Sequence, residues 1–528
     1  MNTNFIDLLR EPDDVKFYTE NSPIRYEEAG TANPTDARVT AEVADGVLRI
    51  TLLPCSDRVK WIRLRFDGDQ HGVLAVLGDC LARALENDLI WKSFVPHEKM
   101  AWYFHTNDGE CLNSYGVKTG CSSFAFWQCD PCGITLLLDV RNGSSGISPK
   151  EPLLAAEVVC RAGKPGENMF RAAGEFCSMM CGKPNLASGP LYGFNNWYWA
   201  YGGIDRETAV NEAKSLSRLT EGCAKPYMVI DDGWQLSHSK GYNGGPWYAA
   251  NERFRDMQAT AYDLNAAGCK AGIWIRPLLT MSHVPDGVPY DSPFQKFGTV
   301  MDPTHPFTLE RVYEDIRRLT EWGYDLIKHD FTTMDLFGVR VSGVGNFHDK
   351  TLTNAQIVRR LYETIQKAAG KAVVIGCNTF NHLAAGVHQI QRSGGDTSGR
   401  SFEITRRDGI HCMMRVPQNG RFFAVDPDCP AFTPRVSKEL NFEFMETVAM
   451  TGCALFASVT PGILTAAEED RMHNIFRLVS TLKPEEHAEI ADWTRTSVPS
   501  EFIFRGETKR YNWYSEYKGI RNFYTWME

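Results

Sequence analysis

At 528 residues the chain is longer than one typical domain and implies two or three. Its composition, 43 % apolar and 23 % charged, is that of an ordinary folded protein, and a net charge of −9 without any block of Lys or Arg argues against nucleic acid or an anionic membrane as a partner. The 13 Trp and 19 Tyr suit sugar binding without requiring it.

The chain starts with MNTNFIDLLREPDD, which lacks a basic segment followed by an apolar one, so no secretory signal is read and a cytoplasmic location is expected. Residues 25 to 185 carry short β-patterned pieces, among them GVLRITLLP, KWIRLRFD, MAWYFHT, SSFAFWQ and GITLLLDV, separated by turn residues. Many short strands of this kind predict an antiparallel sandwich over residues 1–185. Fifteen cysteines are an odd number with no dense disulfide spacing, which fits reduced thiols. The Cys129-Asp130-Pro131-Cys132 segment has no second ligand pair at finger spacing and is read as a tight turn rather than a zinc site.

After CGKPNLASGP (Cys181 to Pro190) the pattern changes to strand, loop, helix. Strands are expected from Tyr192, Tyr227, Ala271, Tyr324, Ala372, His388, Arg421 and Ala454. Leu309, Val312, Ile316 and Leu319 recur at helical spacing with Gly323 at the stop, and Ile357, Leu361, Ile365 and Gly370 repeat the arrangement. Eight such alternations predict a (β/α)8 barrel over residues 186–482. A doubly wound sheet would show a Gly-rich phosphate turn after its first strand, and none is present. The uncharged stretch Thr447 to Ala467 is interrupted by Gly452, Pro461 and Gly462 and reads as a buried strand and turn, not a membrane span. Residues 483–528 are expected to form a short β-rich segment.

Function on such a barrel belongs at the C-terminal ends of the strands. Those ends read Asn195-Asn196-Trp197, Asp231-Asp232-Gly233-Trp234, Arg276, Lys328-His329-Asp330, Cys377-Asn378, Arg392 with Asp396, and Asp426-Pro427-Asp428. Lys328 and Asp330 are two apart and share a strand face, where the ammonium keeps the carboxylate ionised, as a nucleophile requires. Ser393-Gly394-Gly395 lets Arg392 and Asp396 converge, and a carboxyl in a partly dry site beside other carboxylates suits a general acid. One ionised and one protonated carboxylate are the equipment of glycoside hydrolysis. Asp231 and Asp232 lie where a backbone curling before Gly233 turns both toward one pocket, a grip for a polyol with Trp234 beside it. A metal site is disfavoured, because Lys328 and Arg392 would stand next to the ion and the histidines fall at no paired ligand spacing. No Gly-x-Ser-x-Gly elbow or phosphate loop occurs.

Taken in order, GFNNW, DDGW, KHD, RSGGD, VDPD and CALFAS resemble the motifs of the α-galactosidase superfamily, the retaining glycoside hydrolases that include α-galactosidases and α-N-acetylgalactosaminidases. The resemblance covers about Tyr192 to Ala467, and the β-rich region before it is similar to the sandwich of the bacterial branch. It implies that Asp330 is the nucleophile and Asp396 the acid/base. Asp231 and Asp232 would hold the 4- and 6-hydroxyls, with Lys328 beside them. Arg392 would face the 2-position, Trp197 the apolar edge of the sugar, and Asp428 would be a further substrate-side carboxylate. Hydrolysis would retain configuration and need no metal or cofactor.

One loop departs from the family. Where one branch has Cys-Glu-Trp-Pro and chooses between a 2-hydroxyl and a 2-acetamido group, this chain has CNTFNH, with Asn378, Asn381 and His382. Arg276 is not carried over by the resemblance and is kept with Asn378 as a substrate-binding candidate. The expected function is an exo-acting α-galactosidase on an oligosaccharide or glycoside, possible as a homo-oligomer. Two other readings stand beside it: an α-N-acetylgalactosaminidase or related α-pyranosidase, and a non-catalytic sugar-binding protein.

Overall fold

A computed structural model describes residues 4–20, 35–83, 89–95, 98–339, 344–495 and 498–513. All five β-patterned segments quoted above are strands: Val47–Leu52, Val59–Asp67, Met100–Asn107, Phe124–Asp130 and Gly133–Asp139. They belong to one ten-stranded antiparallel sheet with Asp14–Thr19, Val39–Ala44, Ala75–Asp79, Leu112–Val117 and Leu153–Arg161. Its two halves are joined through Met100 opposite Trp127 and Ala101 opposite Phe126. They fold over a shared core in which Leu48, Ile50 and Leu52 of one half meet Leu64, Phe66 and Leu136 of the other. The expected sandwich is therefore built from a single curled sheet. Asp130 to Gly133 form the tight turn between two of its strands, with Asp130 paired to Arg65 at 2.6 Å. All fifteen thiols are free, and no cluster of metal ligands occurs among the described residues.

Helix Met169–Met180 then leads to the barrel. The parallel strands are Tyr192–Asn195, Tyr227–Ile230, Lys270–Ile275, Leu326–His329, Val373–Gly376, Ile390–Arg392, Ala424–Asp426 and Leu455–Val459. Each pairs with the next as far as the seventh, and the eighth pairs with the first. The ring closes where Ala454 N–H donates to the Val425 carbonyl at 2.9 Å. Alternation along the strands sends Tyr227, Val229, Leu326, Ile375, Ile390 and Phe456 inward as one cluster. Met228, Ile230, Ile273 and Ile327 point outward into the larger core beneath the helices. The interior is tight: a Cβ on Gly272 would stand 2.8 Å from Val229 Cγ2.

Both helices read from periodicity are present, Pro306–Glu321 and Asn354–Ala369, with the named apolar residues buried. Gly323 follows the first at φ +99°, a conformation that favours glycine. The Thr447–Ala467 stretch is more composite than expected, beginning in helix Lys438–Met450 before strand Leu455–Val459 and its Pro461-Gly462 turn. No helix among the described residues is long and apolar enough to cross a membrane. Glu489–Ile490, Glu501–Phe504 and Glu507–Arg510 form a small antiparallel sheet near the C-terminus.

Candidate functional site

The second barrel strand stops at Ile230, and the chain turns at once through Asp231, Asp232 and Gly233. Gly233 has φ +122°, and a Cβ there would lie 2.7 Å from the Gly202 carbonyl oxygen, so only glycine makes the turn. Asp231 and Asp232 are both buried but face different partners. Asp231 Oδ2 accepts from Asn195 Nδ2 at 2.7 Å and from Lys328 Nζ at 2.6 Å. Asp232 Oδ1 accepts from Gln235 Nε2 at 2.7 Å, with His238 Nδ1 at 3.4 Å.

Asp330 follows the fourth strand, and Lys328 shares its face, as their spacing predicted. Trp274 Nε1 donates to Asp330 Oδ2 at 3.1 Å. Oδ1 accepts from Phe331 N–H at 2.6 Å and from the Asn378 amide. Burial pushes this carboxyl up, but the Lys328 and Arg83 charges and the hydrogen bonds from Asn378 and Trp274 outweigh it. The net result lies below the usual carboxylate range. Lys328 is opposed by burial as well, yet Asp231 holds its ammonium above the ordinary lysine value. His329 points away, buried with Nε2 at 3.0 Å from His388 Nε2, and burial lowers its pKa to about 4.

Asp396 stands on the loop after the sixth strand, as expected, but not in a dry site. Its side chain is 57 % exposed, and Oδ1 accepts from Arg83 Nη1 at 2.8 Å and Arg392 Nη1 at 3.3 Å. Arg392 also pairs with Asp426 at 3.2 Å and Asp428 at 2.8 Å. Asp428 corrects the expectation of a substrate-side carboxylate: it is fully buried, accepting from Tyr198 O–H and from Thr397 N–H at 2.9 Å. Burial, opposed by Arg392, raises it to about 6.

Two further candidates lie behind the site rather than in it. Trp234 is fully buried, its indole N–H donates to the Trp274 carbonyl at 2.9 Å, and its ring packs on Trp247. Arg276 is spent on Asp335, with Nε at 3.0 Å, and its guanidinium stacks over Phe331 at 4.3 Å. Trp197 is half-buried beside the mouth and packs on Tyr201. In the divergent loop, Asn378 alone of the three named residues reaches the site. Asn381 N–H donates to the Leu81 carbonyl at 2.9 Å, and His382 stacks on Trp102 at 5.3 Å, both contacts with the N-terminal region.

Sequence reasoning missed Trp274 and Arg83. The first lies two residues before Arg276 on the same strand face, so alternation was the available signal. The second lies 313 positions from its partner Asp396, and no local pattern marks it. Three non-glycine residues at strand ends, Phe331, Asn378 and Asp428, have φ of +66°, +49° and +69°. Such backbone strain clusters where the surroundings hold a site in place.

No protein-family model matches the sequence, and no curated protein does. Solved structures do. An α-galactosidase from Thermus thermophilus in complex with p-nitrophenyl α-D-galactopyranoside superposes with a TM-score of 0.63 at 15 % identity, over 90 % of this chain and 96 % of that one. The GH36 α-galactosidase AgaA from Geobacillus stearothermophilus gives 0.58 at 14 % identity, over 88 % of this chain and 74 % of that one. The galactosidase domain of the α-galactosidase-sucrose kinase AgaSK gives 0.56 at 14 %, over 91 % and 74 %. The chain thus has the fold of these α-galactosidases, an antiparallel β domain followed by a (β/α)8 barrel.

Proposed function

We propose that this protein belongs to the α-galactosidase superfamily and is a retaining, exo-acting α-glycosidase for terminal α-D-galactosyl residues. The observation that carries the reading is Asp330: a buried carboxylate held ionised by Lys328 and aimed by Trp274 and Asn378, with an accessible Asp396 on the loop after the sixth strand. An ionised nucleophile and a second carboxyl that gives and then takes a proton are what double displacement needs. Asp330 attacks the anomeric carbon as Asp396 gives its proton to the glycosidic oxygen, and the aglycone leaves as an alcohol. Water then attacks the same carbon, Asp396 takes its proton, and Asp330 is released with the sugar's configuration retained.

Asp231, Asp232 and Lys328 would hold the hydroxyls, Trp197 the apolar edge, and Arg392 the 2-position side. The neighbours solved with stachyose, raffinose and a nitrophenyl galactoside support galactosides as the substrate class. The division at residues 1–185, 186–482 and 483–528, and the cytoplasmic location, stay part of this proposal.

An activated fluorogalactoside should leave a covalent adduct on Asp330, read by intact mass and peptide mapping. Loss of the aglycone with no adduct there would sink the nucleophile assignment. Asp396→Ala should lower kcat by roughly 100-fold or more on unactivated substrates, with azide restoring turnover of activated ones. A first product of inverted configuration, seen by NMR, would reject double displacement. Saturable galactoside binding without any turnover would favour the sugar-binding reading instead.

A further inference from the structure

Arg83 belongs to the N-terminal region, yet its guanidinium stands in the barrel mouth. Its side chain is 8 % exposed, and Nη1 lies 2.8 Å from Asp396 Oδ1. Its Nε has no partner among the described residues. A guanidinium buried with one N–H unsatisfied costs free energy that packing alone does not return.

The segment before it is fastened from the barrel side. Asp79 accepts from Arg415 Nε at 2.7 Å and Gln418 Nε2 at 2.8 Å. Arg415 Nη1 donates to the Ala82 carbonyl at 2.9 Å, and Asn381 N–H to the Leu81 carbonyl at 2.9 Å. The loop that departs from the family motif therefore serves to seat this segment.

Asp396 needs outside support. Gly394 and Gly395 precede it with backbone packed so closely on Asp408 that a Cβ on either would stand 2.9 Å from it. The two residues before this exposed aspartate bring no side chain to bear on its rotamer. Arg83 and Arg392 both meet it at Oδ1, while Oδ2 accepts no hydrogen bond among the described residues. Arg392 is shared with Asp426 and Asp428 and stands farther off, at 3.3 Å. An anion-binding role for Arg83 fits less well: Asp231, Asp232, Asp330, Asp396 and Asp426 outnumber Lys328, Arg83 and Arg392 around the mouth.

We propose that Arg83 is a positioning residue which fixes Oδ1 of Asp396 so that Oδ2 is presented to the glycosidic oxygen. The inference rests on Asp396 being the acid/base. It makes the N-terminal region part of the reaction's machinery, not a neighbour of it.

Proton donation matters only to leaving groups that need it, so the loss on removing Arg83 must depend on the aglycone. Arg83→Ala and Arg83→Lys are compared with the parent on methyl α-galactoside and 2,4-dinitrophenyl α-galactoside, with kcat/KM reporting the first displacement. Arg83→Ala should lose roughly 100-fold on the methyl glycoside but less than about threefold on the dinitrophenyl one. Guanidinium ion should restore part of the first loss, and Arg83→Lys should show the same split at smaller size. Equal losses on both substrates, or none on either, would overturn the proposal. If Arg83→Ala does not fold, the split in Arg83→Lys decides it. A parent chain inert on both substrates would remove the hydrolase reading and this one with it, whereas an active parent with uniform losses rejects Arg83 alone.

Discussion

Lys328 serves two carboxylates with one ammonium. It donates to Asp231 at 2.6 Å, and after burial it is the largest influence on Asp330, holding that carboxyl low. A depressed pKa keeps Asp330 ionised below the usual carboxylate range, so nucleophile ionisation does not limit activity at mildly acidic pH. Lys328→Met removes that charge, lets burial dominate, and moves the acidic limb of kcat/KM toward neutral pH. At neutral pH kcat/KM should also fall by roughly 100-fold, because the ammonium no longer fixes Asp231. A pH–rate profile with an unmoved acidic limb would show that Lys328 does not set the ionisation of Asp330. The Lys-x-Asp spacing made this pair legible, since two residues on one strand share a face whatever the rest of the fold does. His329 between them follows the same alternation. It fills an outward pocket beside Tyr362 and His388 as an aromatic ring would. The misplacement of Trp234 and Asp428 has the opposite cause. A residue two to four positions past a strand end can turn into the core or into the mouth, and local sequence does not decide which.

At the scale of elements, helix Arg206–Leu219 carries an ionisable group in its apolar face. Glu212 accepts from Trp199 Nε1 at 2.8 Å through Oε1, while Oε2 is buried without a partner among the described residues. Burial, slightly offset by that hydrogen bond, pushes the carboxyl from 4.5 up to about 8. The folded pKa is raised, so the folded chain binds more protons than the unfolded one within that window. Stability is therefore full below the lower value and falls as pH rises toward the upper, by about 1.4 kcal/mol per pH unit. Glu212→Gln should flatten this slope and raise the urea midpoint near pH 8 relative to the parent. Identical slopes in the two proteins would mean that Glu212 ionises in the fold as an exposed carboxyl does. The barrel strands were legible because short apolar runs ending in polar residues are what a strand buried on both faces requires. Helix Met169–Met180 was missed although Ala172, Ala173, Phe176, Cys177 and Met180 recur at helical spacing, because it follows a long run of strands and its buried face is built largely of small residues. The small sheet of Leu279–Thr280, Pro289–Tyr290 and Thr299–Met301 is too short in each strand to show alternation.

For the whole molecule, the joint between the two regions decides whether the mouth is complete. The Asp79–Arg415 pair spans 336 positions of sequence with both side chains 2 % exposed, so its geometry was beyond any local reading. Removing one partner of a buried pair strands the other charge, and Arg415→Met should cost about 3–5 kcal/mol, seen as a lower denaturation midpoint. Replacing both partners with apolar residues of similar size relieves the stranded charge, so Asp79→Leu with Arg415→Met should recover most of that loss. The double variant still lacks the Arg415 donor that holds the Ala82 carbonyl one residue before Arg83. Its stability should return while turnover of methyl α-galactoside stays depressed and that of the dinitrophenyl substrate does not. A double variant as unstable as the single one would show that the ion pair is not what joins the regions. Recovery of both stability and methyl-glycoside turnover would show that the joint holds the regions together without aiming Arg83.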